Sequence, residues 1–124
     1  MKNVAVIGAS SNRSKFGNKA VRAYLRKGFQ VFPVHPAEER IEGLECYTSL
    51  SAIPVELETV SVYVPPVVLL KLLPEIANKG CRELWLNPGT ESAEVLSLAE
   101  ELGLPVIQAC SIVGLGMTPA EFGE

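Results

Sequence analysis

The stretch Val4-Ala5-Val6-Ile7-Gly8-Ala9-Ser10-Ser11-Asn12-Arg13-Ser14-Lys15-Phe16-Gly17 reads as a buried strand, a polar loop and the start of a helix. An unbroken Val/Ile/Ala run suits a strand covered on both faces, and Gly8 lets the chain turn sharply where that strand ends. The helix opens beside the turn. Its first backbone N–H groups lack partners within the helix and its dipole is positive at that end, so the loop favours a phosphate or carboxylate.

Outward from this unit, apolar strand-like segments alternate with helical patterns, which calls for parallel βαβ units. Strands are expected at about residues 3–7, 30–34, 59–64, 83–86 and 105–108. Phe16, Ala20, Val21, Tyr24 and Leu25 form one apolar helical stripe ending at Gly28. His35-Pro36 stops the second strand, a polar loop follows over residues 37–43, Cys46-Tyr47 reads as a short extended piece, and residues 49–53 as a helical turn. Pro65-Pro66 ends the central strand, and Pro74 is expected either to kink the next helix or to open its main portion. Thr90 is the expected cap of a helix over residues 91–102, with Val95, Leu98, Ala99 and Leu102 inward. Residues 111–124, carrying Gly114, Gly116, Pro119 and Gly123, have no clear period and are expected to be an irregular, partly disordered tail. Right-handed crossovers then predict an α/β fold: a single doubly wound parallel sheet of about five strands with helices on both faces. The expected order is 3-2-1-4-5, with the central strand beside the first.

A chain of 124 residues with 48% hydrophobic content suits one domain over residues 1–124 and one sizeable core. Its formal net charge of −3, without a dense Lys/Arg run, argues against nucleic acid or an anionic membrane as partner. No signal peptide precedes the first strand, and the apolar segment 60–73 is too short and too interrupted to span a membrane, so a cytoplasmic protein is expected. Cys46, Cys81 and Cys110 are odd in number and far apart, which fits reduced thiols rather than a disulfide framework. With His35 the only histidine, no metal site is expected. Catalysis has the weakest support, because no nucleophile with its base is recognisable and no catalytic residue is assigned.

In doubly wound sheets, ligands bind beyond the carboxyl ends of the strands where the strand order reverses. That rule selects the loops at residues 8–17, 35–43, 64–67, 87–90 and 108–112, and points to a nucleotide-like ligand. A dinucleotide fingerprint starting at Gly8 would need glycines where Ser10 and Arg13 stand. The acidic residue that would hold an NAD ribose after the second strand is replaced by His35-Pro36. Arg13-Ser14-Lys15 does not match the end of a Walker loop either.

Several segments, in order, carry a resemblance: Val6-Ile7-Gly8-Ala9-Ser10, residues 28–36 with Gly28-Phe29 and Val34-His35-Pro36, Ile41-Glu42-Gly43 with Tyr47 and Leu50, Val62-Tyr63 before Pro66, Leu84-Trp85-Leu86-Asn87 with Gly89, and Cys110. Together they resemble the small stand-alone CoA-binding proteins, relatives of the N-terminal CoA-binding domain of the succinyl-CoA synthetase α subunit. The resemblance covers nearly the whole chain. It implies a Rossmann-like fold holding CoA or an acyl-CoA at the strand ends, with phosphates near the first loop and the adenosine part on the wall after the second strand. Carried onto this sequence, it assigns cofactor binding to Gly8, Ala9, Ser10, Arg13, Ser14, Lys15, Phe16, Gly17, His35, Pro36, Val64, Pro65, Asn87 and Gly89. Lys15 takes the place of the family's usual arginine, His35 of an asparagine, Val64 of an arginine and Asn87 of a glutamine, while Gln108-Ala109-Cys110 replaces an Asp-Arg-Cys pattern. The ligase's phosphorylated histidine belongs to a part this chain lacks, so ligase activity is not inherited.

The leading expectation is therefore a non-catalytic module that binds CoA or an acyl-CoA to sense, carry or present it. Two alternatives stay open: an NAD(P)-binding Rossmann module, in which Arg13 and Lys15 meet a 2′-phosphate, and a ligand-free interaction domain that kept the fold. The apolar residues Ile112, Val113, Leu115, Met117 and Phe122 of the tail suggest packing on a second subunit or a partner protein.

Overall fold

After its first residue, β1 (Asn3–Ile7) presents only buried side chains, a pattern satisfied at the middle of a sheet. In the computed structural model, which describes residues 2–123, that is where it lies. It pairs in parallel with β2 (Gln30–Val34) on one side, Ala5 opposite Phe32, and with β5 (Thr59–Val62) on the other, Ala5 opposite Val60. β5 pairs with β6 (Glu83–Leu86) and β6 with β7 (Val106–Ile107), giving the order β2-β1-β5-β6-β7. This is the expected α/β doubly wound parallel sheet. The central strand lies beside the first, as expected, but the order 3-2-1-4-5 needs correction, because among the described residues no full strand lies outside β2. That position holds a single parallel bridge between Val34 and Tyr47, since Pro33 and the short Cys46-Tyr47 piece leave little ladder to extend. Residues 37–43 are not merely a loop either, because Arg40–Ile41 (β3) and Leu44–Glu45 (β4) form a small antiparallel hairpin.

Alternation along β1 feeds two cores. Ala5 and Ile7 face Val60, Val62, Leu69, Leu73, Ile76 and Val95, beneath α2 (Pro66–Lys79) and α3 (Ala93–Glu101). Val4 and Val6 face the opposite way, toward Ala20, Val21 and Tyr24 of α1 (Phe16–Arg26). The predicted stripe of α1 is trimmed at both ends, with Phe16 54% and Leu25 38% exposed. α2 starts with Pro66 in its first turn and runs through Pro74, so Pro74 does not open the helix. α3 is capped by Ser92, whose Oγ accepts the Val95 N–H at 3.1 Å, and not by Thr90. The Thr90 hydroxyl is buried and donates to the Asn87 carbonyl at 2.7 Å. Leu102 falls just past the helix and is exposed.

The segment expected to be an irregular, partly disordered tail is packed over residues 111–122, while Glu124 lies outside the described residues. α4 (Ser111–Gly114) and a 3₁₀ turn (Pro119–Phe122) bring Ile112, Met117 and Phe122 against α1. Thr118 and Glu121 form a capping box at the turn, the Arg26 guanidinium stands 4.4 Å from the Phe122 ring centroid, and Arg22 Nη2 donates to the Phe122 carbonyl at 3.0 Å. Two elements of one turn each are too short to give a periodic pattern, which is why the glycines and prolines dominate the sequence reading. Ile112, Met117 and Phe122 are consequently spent inside the chain and are not free for a second subunit. No helix among the described residues is long and apolar enough to cross a membrane.

Phe122→Ala should lower the unfolding free energy by about 3–5 kcal/mol, the usual cost of deleting a buried aromatic ring. Urea unfolding followed by circular dichroism measures it; an unchanged midpoint would mean that the C-terminal segment contributes nothing to the core.

Candidate functional site

Two glycines let the β1–α1 loop form. Gly8 has φ +84°, and a Cβ there would stand 2.7 Å from the Tyr63 carbonyl oxygen, so both the turn and the approach of β5 exclude a side chain. A Cβ at Gly17 would collide with the Gly8 carbonyl oxygen and crowd Ala9. The first turn of α1 thus lies directly on the end of β1, and its N-terminus faces the space above the sheet.

Side chains then fasten the loop. Asn12 Oδ1 accepts from the Ser14 N–H at 3.0 Å and hydroxyl at 2.7 Å, and Ser10 Oγ accepts the Asn12 N–H at 3.0 Å. Buried Asn18 donates through Nδ2 to the Ser10 carbonyl at 2.8 Å and to Glu42 at 3.0 Å, while its Oδ1 accepts from Arg22 Nε at 2.7 Å. Arg22 also holds the Arg13 carbonyl at 2.8 Å, and Arg13 pairs with Glu42 at 3.4 Å. Glu38 accepts the Ser11 N–H at 3.0 Å, and hydrogen bonding from Ser11 holds its carboxyl below the usual range. The loop is therefore tied both to its own helix and to the segment after β2.

Above the carboxyl ends of β1, β2 and β5 lies an open cavity of about 750 Å³. One wall is Gly8, Ala9, Ser10, Lys15, Phe16 and Gly17. A second is Val34, His35 and Pro36 with Thr48, Ser49 and Leu50, and a third, beginning beside Gly8, is Tyr63, Val64 and Pro65 with Val68, Leu72 and Glu75 of α2. Pro88, Gly89 and Thr90 complete it. His35 Nδ1 accepts the backbone N–H groups of Ala37 at 3.0 Å and Glu38 at 3.1 Å, which leaves the neutral ring's proton on Nε2.

Most of the sequence-predicted site residues meet in this cavity, but three do not line it. Arg13 and Ser14 are engaged in the loop bonds just described, and Asn87 is 1% exposed. Asn87 Nδ2 donates to Ser61 Oγ at 3.0 Å and the Val62 carbonyl at 2.9 Å, and its Oδ1 accepts the Ser111 N–H at 2.7 Å. It ties β5 and β6 to α4 beneath the cavity. Among the lining residues that lay outside the segments singled out from the sequence are Thr48, Ser49, Val68, Leu72 and Glu75. The period of α2 was the available signal for three of them, since Val68, Leu72 and Glu75 are spaced to share one helical face.

A family model, the CoA binding domain, matches residues 2–116. The chain belongs to the CoA-binding domain family. ADP-forming acetate–CoA ligase II of Archaeoglobus fulgidus is 36% identical over 117 residues, covering 85% of this chain and 17% of the ligase. The chain therefore spans about a sixth of that relative's length. Among solved structures, a conserved hypothetical protein from Pyrococcus furiosus superposes with a TM-score of 0.84 at 36% identity, covering 92% of this chain and 99% of that one. The dinucleotide-forming acetyl-coenzyme A synthetase 1 of Ca. Korarchaeum cryptofilum, in complex with phosphate and ADP, gives 0.76 at 26% identity, covering 87% of this chain and 25% of the synthetase.

In this CoA-binding domain, two of the three longer helices open at the cavity. α1 and α2 both begin at its wall, and neither has a side-chain cap or an acidic residue in its first turn. α3, which begins away from the lining residues, has both the Ser92 cap and Glu94. Uncapped positive helix ends facing one space, with Lys15 beside them, create a local preference for anions on a chain of net charge −3.

Gly17→Ala should destabilise the protein by about 2 kcal/mol or more, because the new methyl meets backbone rather than a yielding side chain. Chemical denaturation reads the change, and a loss under about 0.5 kcal/mol would show that α1 can retreat from β1 without cost.

Proposed function

We propose that this domain holds CoA or an acyl-CoA in the cavity without transforming it, to sense, carry or present the ligand. The observation that carries the reading is the pair of uncapped helix N-termini with Lys15 at one end of a cavity otherwise walled largely by Val, Leu and Pro. The phosphates of the ligand lie at the Gly8 to Gly17 wall, where backbone N–H groups and Lys15 neutralise them. Gly8, Ala9 and Ser10 let the ligand approach the backbone closely, and Lys15 contributes charge without the bidentate fork of an arginine. Arg13 and Ser14 act indirectly, by shaping the loop, and Asn87 acts by holding the floor. His35, Pro36, Val64 and Pro65 flank the body of the ligand, with Gly89 at the opposite rim.

A holding role is favoured over a chemical one because the imidazole and the carboxylate that line the cavity are both held by bonds within the fold. His35 Nδ1 is committed to two backbone donors, and Glu75 accepts from Ser51. The three free thiols fit a reducing, cytoplasmic setting. Burial pushes the Cys81 thiol up to about 11 and raises that of Cys46, which keeps both in the unreactive protonated form at neutral pH.

Thermal shift with CoA, acetyl-CoA, NAD, NADP and ATP at equal concentrations tests the proposal. CoA at 100 times its dissociation constant should add about 2.7 kcal/mol of stability, and Lys15→Ala should weaken CoA binding about three- to tenfold. Stabilisation by NADP alone would replace this reading with a dinucleotide module, and no response to any ligand would leave an interaction domain that kept only the fold.

A further inference from the structure

The cavity is electrically lopsided. Lys15 and the open ends of α1 and α2 make one end attractive to anions, whereas the cavity-lining carboxylate, Glu75, stands two turns down α2 beyond Val68 and Leu72. Glu75 makes no ion pair among the described residues, although Lys71 and Lys79 stand one turn to either side; the Lys79 ammonium is bound instead to the Ile53 carbonyl. Its Oε2 accepts the Ser51 hydroxyl at 2.7 Å and the Ser51 N–H at 3.3 Å. No hydrogen bond is made by its Oε1 among the described residues. The carboxylate is thus aimed by Ser51 and keeps an acceptor to spare.

A half-buried carboxylate repels phosphate and requires an N–H or O–H donor. Leu50, Val68 and Leu72, which line the cavity on this side with Thr48 and Ser49, offer apolar surface that suits the faces of a flat ring. CoA offers a neutral group that answers both demands, an aromatic base with an exocyclic amino group. We infer that Glu75, oriented by Ser51, is a specificity-determining residue that accepts a hydrogen bond from the 6-amino group of the ligand's adenine, so that the cavity selects an aminopurine at this end and phosphate at the other. This rests on CoA binding in the cavity, and it assigns Ser51 as a positioning residue.

The test compares CoA with 1,N6-etheno-CoA, whose fused ring removes the amino donor, by isothermal titration of wild type, Glu75→Ala, Glu75→Gln and Ser51→Ala. Melting of each free variant confirms folding. Wild type should prefer CoA by about tenfold, as expected for one charged hydrogen bond. Glu75→Ala should bind the two ligands within about twofold of each other, whatever the added bulk costs the etheno compound in wild type. Glu75→Gln, which retains an acceptor oxygen, should keep part of the preference, and Ser51→Ala should reduce it. Tight CoA binding with the same CoA to etheno-CoA ratio in wild type and Glu75→Ala would overturn the role of Glu75 while leaving CoA binding intact. Absence of CoA binding to wild type would overturn both.

Discussion

The contact on which the rest depends is backbone against backbone, the N-terminal turn of α1 seated on the carbonyl of Gly8. It exists because neither Gly8 nor Gly17 has a side chain. With α1 held so close, its dipole ends over the carboxyl end of β1, and the loop between them is short of room and full of unsatisfied donors. The polar loop sequence answers this with local turns at Ser10, Asn12 and Ser14 and longer ties through Asn18, Arg22, Glu38 and Glu42. Arg22 spans from that loop to the C-terminal turn, bonding both the Arg13 and the Phe122 carbonyls. The shape of the first loop and the packing of the last segment are therefore one structural problem.

A second constraint works from below. β5 contributes Ser61, and α4 contributes Ser111, whose hydroxyls are 2.7 Å apart in a fully buried position. Burying two hydroxyls costs free energy unless each finds a partner; they bond one another, and Asn87 adds a donor to Ser61 while also bonding the Val62 carbonyl and accepting the Ser111 N–H. This fixes where β6 ends and how α4 leaves the sheet. The Tyr63 hydroxyl is buried on the same side without a hydrogen-bond partner among the described residues, and burial raises its pKa well above the ordinary value. Such a group remains a neutral phenol and adds bulk rather than charge to the cavity wall.

What could be read from the residues divides along the same physical line. The strands and α1 were legible because burial on one or two faces imposes a period, and Gly8 and Gly17 because a turn and a close approach demand glycine. The first loop was read as a candidate anion site from its place at a helix end. Less legible were features set by contacts distant in sequence. Ser92 and Thr90 both look like caps, and only the buried Asn87 carbonyl decides which hydroxyl is drawn away. Asn87 looked like a ligand contact from its place after β6, yet three partners from β5 and α4 claim its amide. The C-terminal segment was misread because Phe122 gains its burial from α1, about a hundred residues earlier in the chain. Glu75 was missed for a related reason, since a lone acidic residue in an apolar helix stripe acquires meaning only when Ser51 and the cavity are placed beside it.

The departures at Val64, Gln108 and Ala109 from the charged or polar residues the family resemblance would place there are compatible with this division. Charged side chains add to an anion site, but at the Gly8 to Gly17 wall the donors are backbone N–H groups whose direction is set by helix placement. Replacing side chains elsewhere on the rim leaves those donors in place, provided that α1 and α2 still begin where they do. Their starts are set by Gly17 and by Pro65-Pro66, and Pro66 in the first turn of α2 costs no intrahelical bond. In the proposed reading, recognition at this wall therefore rests on conformation more than on fixed charge. Lys15 is exposed and flexible, so it adds attraction at a distance more than geometric selection. If the proposed site is right, selection among anionic nucleotides falls to the other end of the cavity, where Ser51 holds the Glu75 carboxylate in place.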